Sequence, residues 1–276
     1  MRTAVLLALA LAGCSASASA DAPPHSSRPT FVSLNPCTDA ILAEVADADQ
    51  ILALSHYSRD PASSSMDVRT ARRFASVGDG VEEVMTLKPD WVVSGTFMAP
   101  ATSRAYARLG MRLEKLPIAP DVEASKAQVR RLAALAGHPE RGEALVARID
   151  AALSAAAPPP GQPVSAVVWQ SGGIVPGEGT LIADLLRRTG FASHSAARGL
   201  GQAASLPLEN MLADPPRVIL AAGRPGAAED RMLAHPALAR LDGTTRARLE
   251  PSLLWCGGPT IPRAAQRLAA VRRQLQ

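Results

Sequence analysis

The chain alternates short apolar runs with amphipathic stretches, the pattern of strands alternating with helices. TFVSL (residues 30–34) reads as a strand, and NPCTD turns it into a helix whose apolar positions Ile41, Leu42 and Val45 share one face. Thr38 is placed to cap that helix. ILAL (residues 51–54) predicts a second strand, followed by the loop SHYSRDPASSS. VEEVMTLK predicts a short helix. DWVVSG is apolar on both faces, as a strand buried in a parallel sheet is. Residues 102–109 predict a helix, and MRLEKLP a further strand.

From Val122 the pattern becomes helical. VEASKAQVRRLAALAG ends at Gly137, a residue suited to a left-handed C-cap. His138-Pro139 restarts the chain, and residues 139–157 run without a breaker, with Leu145, Ile149 and Leu153 on one face. At 1.5 Å per residue this helix spans roughly 28 Å, about the width of a lobe. PPPGQP ends it. Alternation then resumes. VSAVVW is a buried strand, QSGGIVPGEG a glycine-rich loop, and TLIADLLRRTG a helix with Leu181, Leu185 and Leu186 together, closed by Gly190. RVILAAG and residues 247–250 predict strands, LWCGGP a loop, and residues 261–275 a final helix. The expected architecture is α/β: two Rossmann-like lobes, residues 30–121 and 161–276, joined through a helical segment 122–160 by one long helix, 139–157.

One unit occurs twice. Glu82 and Glu209 each open a short amphipathic run, each stands seven residues before a proline (Pro89, Pro216), and each proline precedes an apolar strand ending at glycine. The duplication predicts equivalent pieces of the two lobes.

The N-terminus reads as a leader. MRT supplies positive charge, AVLLALALAG an apolar segment, and small residues follow, so residues 1–20 are set apart from the fold and 21–29 read as a flexible linker. Leu11-Ala12-Gly13-Cys14 fits a lipobox that would lipidate Cys14, and cleavage after Ala18-Ser19-Ala20 is the alternative. Either route exports the chain, and a lipid anchor would be its only membrane contact. In an oxidising compartment Cys37 and Cys256 would be a disulfide or two buried thiols. No CxxC spacing or nearby histidine supports a metal site there.

The net charge of +4 comes from 29 Lys plus Arg against 25 Asp plus Glu, spread as short doublets without interleaved aromatics. That distribution does not fit a nucleic-acid binder. Motifs of nucleotide or hydrolytic chemistry are missing too: the loop Gly177-Glu178-Gly179-Thr180 is an incomplete GxGxxG, and there is no Walker A, HExxH or GxSxG.

FVSLNPCTD, then LKPDWVVSG after a glutamate, then the C-terminal helix, in this order, resemble the class III periplasmic substrate-binding proteins of ABC importers. The resemblance implies two α/β lobes on a helical spine and a monomer that delivers a ferric siderophore, cobalamin or haem to an inner-membrane permease with its ATPase. It implies that Glu82 and Glu209 dock into arginine pockets of that permease, with Glu83 as a possible substitute for Glu82. It implies no cofactor beyond the metal chelate carried. Ligands of open α/β sheets sit at the carboxyl ends of strands. That rule selects Asn35 and Cys37, His56, Tyr57 and Arg59, and Phe97 in the first lobe, and Trp169, Gln170, Trp255 and Cys256 in the second. Flat rings suit a chelate face, and Arg59 would pair with ligand carboxylates or with Asp60. The alternative is an exported α/β enzyme, a hydrolase or chelate-processing reductase, with His56 as base and Cys37 or Cys256 as nucleophile.

Overall fold

The computed structural model describes residues 28–223 and 230–275. The leader and the lipidation candidate Cys14 lie outside them.

The N-lobe contains β1 (Phe31–Ser33), α1 (Pro36–Val45), β2 (Ile51–Ser55), α2 (Val68–Ala71), β3 (Ser76–Val77), α3 (Val81–Leu87), β4 (Trp91–Gly95), α4 (Pro100–Arg108) and β5 (Arg112–Leu116). Its five strands pair in the order β3-β2-β1-β4-β5, all parallel. The linking helices are α5 (Val122–Ala136) and α6 (Pro139–Ala155). The C-lobe contains β6 (Val164–Gln170), β7 (Ile174–Val175), α7 (Leu181–Arg188), β8 (Phe191–Ser193), β9 (Ala204–Ser205), α8 (Leu208–Ala213), β10 (Val218–Ala222), β11 (Thr245–Arg248) and α9 (Ile261–Arg273). Its main sheet runs β11-β10-β6-β8, again parallel, and β7 and β9 form an antiparallel ribbon.

Side chains alternate across each sheet, as strand geometry requires. Phe31 and Val93 enter one core, and Val32 and Val92 enter another. In the C-lobe, Ala166, Val168, Val218 and Leu220 share the first of these cores, whereas Val167, Trp169 and Ile219 build a separate one. One face of each sheet therefore belongs to a single core that continues through α1, α5, α6 and α9 from lobe to lobe. The outer faces have cores of their own.

The link is a helix pair: α6 packs along α5 and reaches α1 of one lobe and α9 of the other. The expected run 139–157 ends at Ala155, with Ala156 as its C-cap. Close approach of the pair depends on Gly142, because a Cβ there would lie 2.6 Å from that of Ala133. At the junction of α5 and α6, Asp47 from the N-lobe receives Arg141 Nη2 at 2.7 Å on Oδ1 and His138 Nε2 at 2.8 Å on Oδ2. These contacts hold the Asp47 carboxyl down at about 2.

Candidate functional site

The cleft is built at the carboxyl ends of β1, β2 and β4, opposite the loop that follows β11. Asn35 ends the extension of β1 and caps α1: its Oδ1 accepts the Cys37 amide at 2.9 Å. Thr38, expected as the cap, lies inside the first turn, where its hydroxyl donates to the Asn35 carbonyl at 2.9 Å. The reason is Pro36, whose fixed φ suits the first helical position and leaves the preceding residue as cap. The Asn35 amide also packs on β4, since a Cβ at Gly95 would meet Asn35 Nδ2 at 2.9 Å.

After β2, residues His56–Arg59 form a short 3₁₀ turn capped by Ser55 Oγ, which accepts the Tyr57 amide at 3.2 Å. The turn is held from below by Asp39, in the first turn of α1. Asp39 Oδ2 accepts the Ser58 hydroxyl at 2.6 Å and the Ser55 amide at 3.0 Å. Burial outweighs these hydrogen bonds and pushes the Asp39 carboxyl up to about 8, so it is mostly neutral at pH 7. The turn presents His56 and Tyr57 outward with ring centroids 4.0 Å apart. Arg59 takes another direction and donates Nη2 to the Phe74 carbonyl at 2.8 Å. The oxygens of its sequence neighbour Asp60 accept from Ala62 N and Ser63 Oγ.

Phe97, in the loop between β4 and α4, is 83% exposed, which is extreme for a phenylalanine. Asn35, Tyr57 and Phe97 come together around one cavity of about 360 Å³, with Asp79, Met98 and Thr102 completing its wall. Those last three had no signal in the sequence beyond their position near strand ends.

From the C-lobe, Trp255 is 47% exposed, and its carbonyl lies 3.3 Å from Cys37 Sγ. Cys37 and Cys256 are joined as a disulfide that bridges the lobes, which closes the alternative of free thiols. A disulfide sulfur is no thiolate, so neither cysteine serves as the nucleophile of the enzymatic alternative. The loop is seated further by Gly258, whose amide donates to the buried Ser125 Oγ of α5 at 2.7 Å.

Trp169 is a correction. It was expected to face the ligand, yet it is fully buried, and its Nε1 donates to the Leu206 carbonyl at 3.0 Å. β6 continues through Gln170, so Trp169 is a strand residue on the outer face, packed with Val167 and Ile219. Gln170 is half-buried at the end of that strand, opposite Ala222.

The duplicated units occupy matching places. α3 leads into β4, which pairs with β1, the first strand of its lobe. α8 leads into β10, which pairs with β6, the first strand of the other. Glu82 and Glu209 stand in the first turns of these helices, both exposed, and neither forms an ion pair among the described residues. Glu83 is engaged locally: its Oε2 accepts the Gly78 amide at 2.9 Å. Beneath α3, burial and the charges of Asp79 and Glu82 push the Tyr106 hydroxyl up to about 12. Among the described residues no group of three or more His, Cys, Asp or Glu side chains is placed to hold a metal ion. Nor is any helix among them long and apolar enough to cross a membrane.

Two parallel-sheet lobes on a shared helical core, with a cleft at the strand ends, define a class III binding-protein fold. A family model described as periplasmic binding protein matches residues 31–247, and the chain belongs to that family. Solved structures agree in fold. The periplasmic heme-binding protein RhuT of Roseiflexus sp. RS-1, in apo form, is 19% identical over 90% of this chain and 98% of its own, with a TM-score of 0.67. The periplasmic heme-binding protein HutB of Vibrio cholerae is 17% identical over 88% and 98%, with a TM-score of 0.71. The periplasmic vitamin B12-binding protein BtuF of Vibrio cholerae is 18% identical over 90% and 98%, with a TM-score of 0.68. No curated protein matches the sequence.

Proposed function

We propose that the protein is the exported receptor of an ABC importer. It captures a metal chelate, a ferric siderophore or a cobalamin-type corrinoid, in the cleft between its lobes and hands it to an inner-membrane permease. One observation carries this reading: the exposed rings Tyr57 and Phe97 stand just past the ends of β2 and β4, and the exposed ring of Trp255 stands in the loop between β11 and α9 that meets Cys37. The chain holds only three Trp, two Tyr and four Phe. Leaving three of these in water is unfavourable unless a flat apolar partner covers them. The fold relatives named above bind heme and vitamin B12, both flat macrocyclic chelates. Asn35, His56 and Gln170 would contact the polar rim of the cargo.

Glu82 and Glu209 are the docking acids of this reading. A carboxylate on each lobe engages a two-fold partner at two points, and the second contact gains from the effective concentration set by the first. The protein works as a monomer in the periplasm, held by a lipid on Cys14. Quenching of tryptophan fluorescence, screened over cobalamin, haem and several ferric siderophores, tests the cargo. Saturable one-to-one quenching by one chelate is expected, and no response to any of them refutes the reading.

A further inference from the structure

A second cavity, of about 510 Å³, lies where the loop after β2 meets the C-lobe. Its wall draws on both lobes: Ser65, Asp67, Arg69 and Arg72 from one, Ser252 and Arg263 from the other. Three guanidiniums therefore share the cavity with one carboxylate. That carboxylate is engaged as a helix cap, with Asp67 Oδ1 accepting the Thr70 amide at 3.0 Å. The side chains of Arg69 and Arg72 make no hydrogen bond or ion pair among the described residues. Arg263 commits Nη1 to the Ser65 carbonyl at 3.1 Å, which leaves most of its donors unused. The Ser65 hydroxyl is buried, at 2% exposure, and has no hydrogen-bond partner.

The three guanidiniums ask for one occupant. Like charges gathered on one cavity wall repel, and an anion between them reverses the sign of that interaction. Guanidinium forks match the oxygens of a carboxylate two at a time. The volume suits a small organic molecule. Because the arginines come from both lobes, a ligand with several carboxylates reaches more of them than one with a single group.

We propose that this cavity is a binding site for a polycarboxylate, gripped by Arg69 and Arg72 on one lobe and Arg263 on the other. The carboxylates belong either to a free small acid or to the acidic periphery of a chelate seated next door. Titration with a free acid requires neither permease nor chelate, so its outcome stands or falls separately from the import reading.

Calorimetric titration of the full chain with citrate at low ionic strength tests it. Wild type is compared with R72Q/R263Q, with R69Q/R72Q and with R104Q, an exposed arginine of α4 remote in the chain from this cavity. Saturable binding is expected, weakened about tenfold or more in either double variant and within about twofold of wild type in R104Q. Thermal melts confirm that each variant is folded. Absence of saturable citrate binding by folded wild type overturns the proposal. So does an equal loss in R104Q and the double variants, which would mark diffuse attraction to a basic surface. Repeating the titration on protein preloaded with haem, whose rim carries carboxylates, separates the two sources. Loss of citrate binding assigns the site to the cargo's own carboxylates, and retention to a free acid.

Discussion

Cys37, in the first turn of α1, is bonded to Cys256, in the last loop of the C-lobe, so one covalent link crosses the cleft and closes a span of 219 residues. Constraining the unfolded chain over so long a loop, the pair is expected to add about 2–5 kcal/mol to stability. Thermal melts with and without reductant, and of C37S/C256S, measure it. The variant should still fold, because Gly258 and Ser125 hold the loop in place by another route. Two thiols titrating in the native C14S protein would contradict the bond.

Phe97 and Trp169 should respond to alanine in opposite ways. F97A removes a ring that is 83% exposed, so the melting temperature should stay within a degree or two while chelate affinity falls about tenfold. W169A empties a fully buried site and strands the Leu206 carbonyl, at an expected cost of about 3–5 kcal/mol. Denaturation curves and fluorescence titrations of the two variants distinguish contact from support.

Asp39 predicts an unusual pH dependence. Its carboxyl is raised from 3.8 to about 8 in the folded chain, so the native state holds a proton that the unfolded state releases. Its contribution is complete below about pH 4 and is lost as pH rises through about 8. Urea midpoints across this range should fall more steeply in wild type than in D39N. Parallel curves would show that Asp39 does not carry that proton.

Asp47 acts with the opposite sign. Its carboxyl is lowered from 3.8 to about 2, with Arg141 the first cause and His138 the second. Its contribution is present above about pH 4 and disappears as pH falls through about 2. D47N should be less stable at neutral pH and should lose less stability on acidification, read from the same midpoints.

Replacing Glu82 and Glu209 together with alanine should abolish uptake in cells and leave chelate affinity within about twofold. E83A should spare uptake, because Glu83 spends its carboxylate on the Gly78 amide. Normal transport by the double variant would remove both acids from the docking role.

Strands with continuous apolar runs were legible in the sequence because a parallel sheet buries both faces. β3, β7, β8 and β9 were not. They are two or three residues long, too short to show a period, and are recruited by longer neighbours. The α1 cap went to Asn35 over Thr38, although the Asn-Pro pair carried that information. An apolar run ending at Trp169 puts that ring at the cleft, but β6 runs on through Gln170, and a single position on a strand moves a side chain to the other face. The rim residues Tyr57 and Phe97 were visible as rare aromatics in loops. The support of Asp39 for the His56–Arg59 turn was invisible, since nothing local distinguishes it from any acid in a first helical turn.

The core running unbroken through α1, α5, α6 and α9 limits how this receptor can signal. Swinging the halves apart would tear packed side chains from one another, so wide opening is not available to it. Its empty and loaded outlines must therefore be nearly the same. A membrane partner that recognised outline alone would waste cycles on vacant carriers. On the proposed reading, discrimination would reside in small tilts between Glu82 and Glu209, or in the exposed face of the cargo itself.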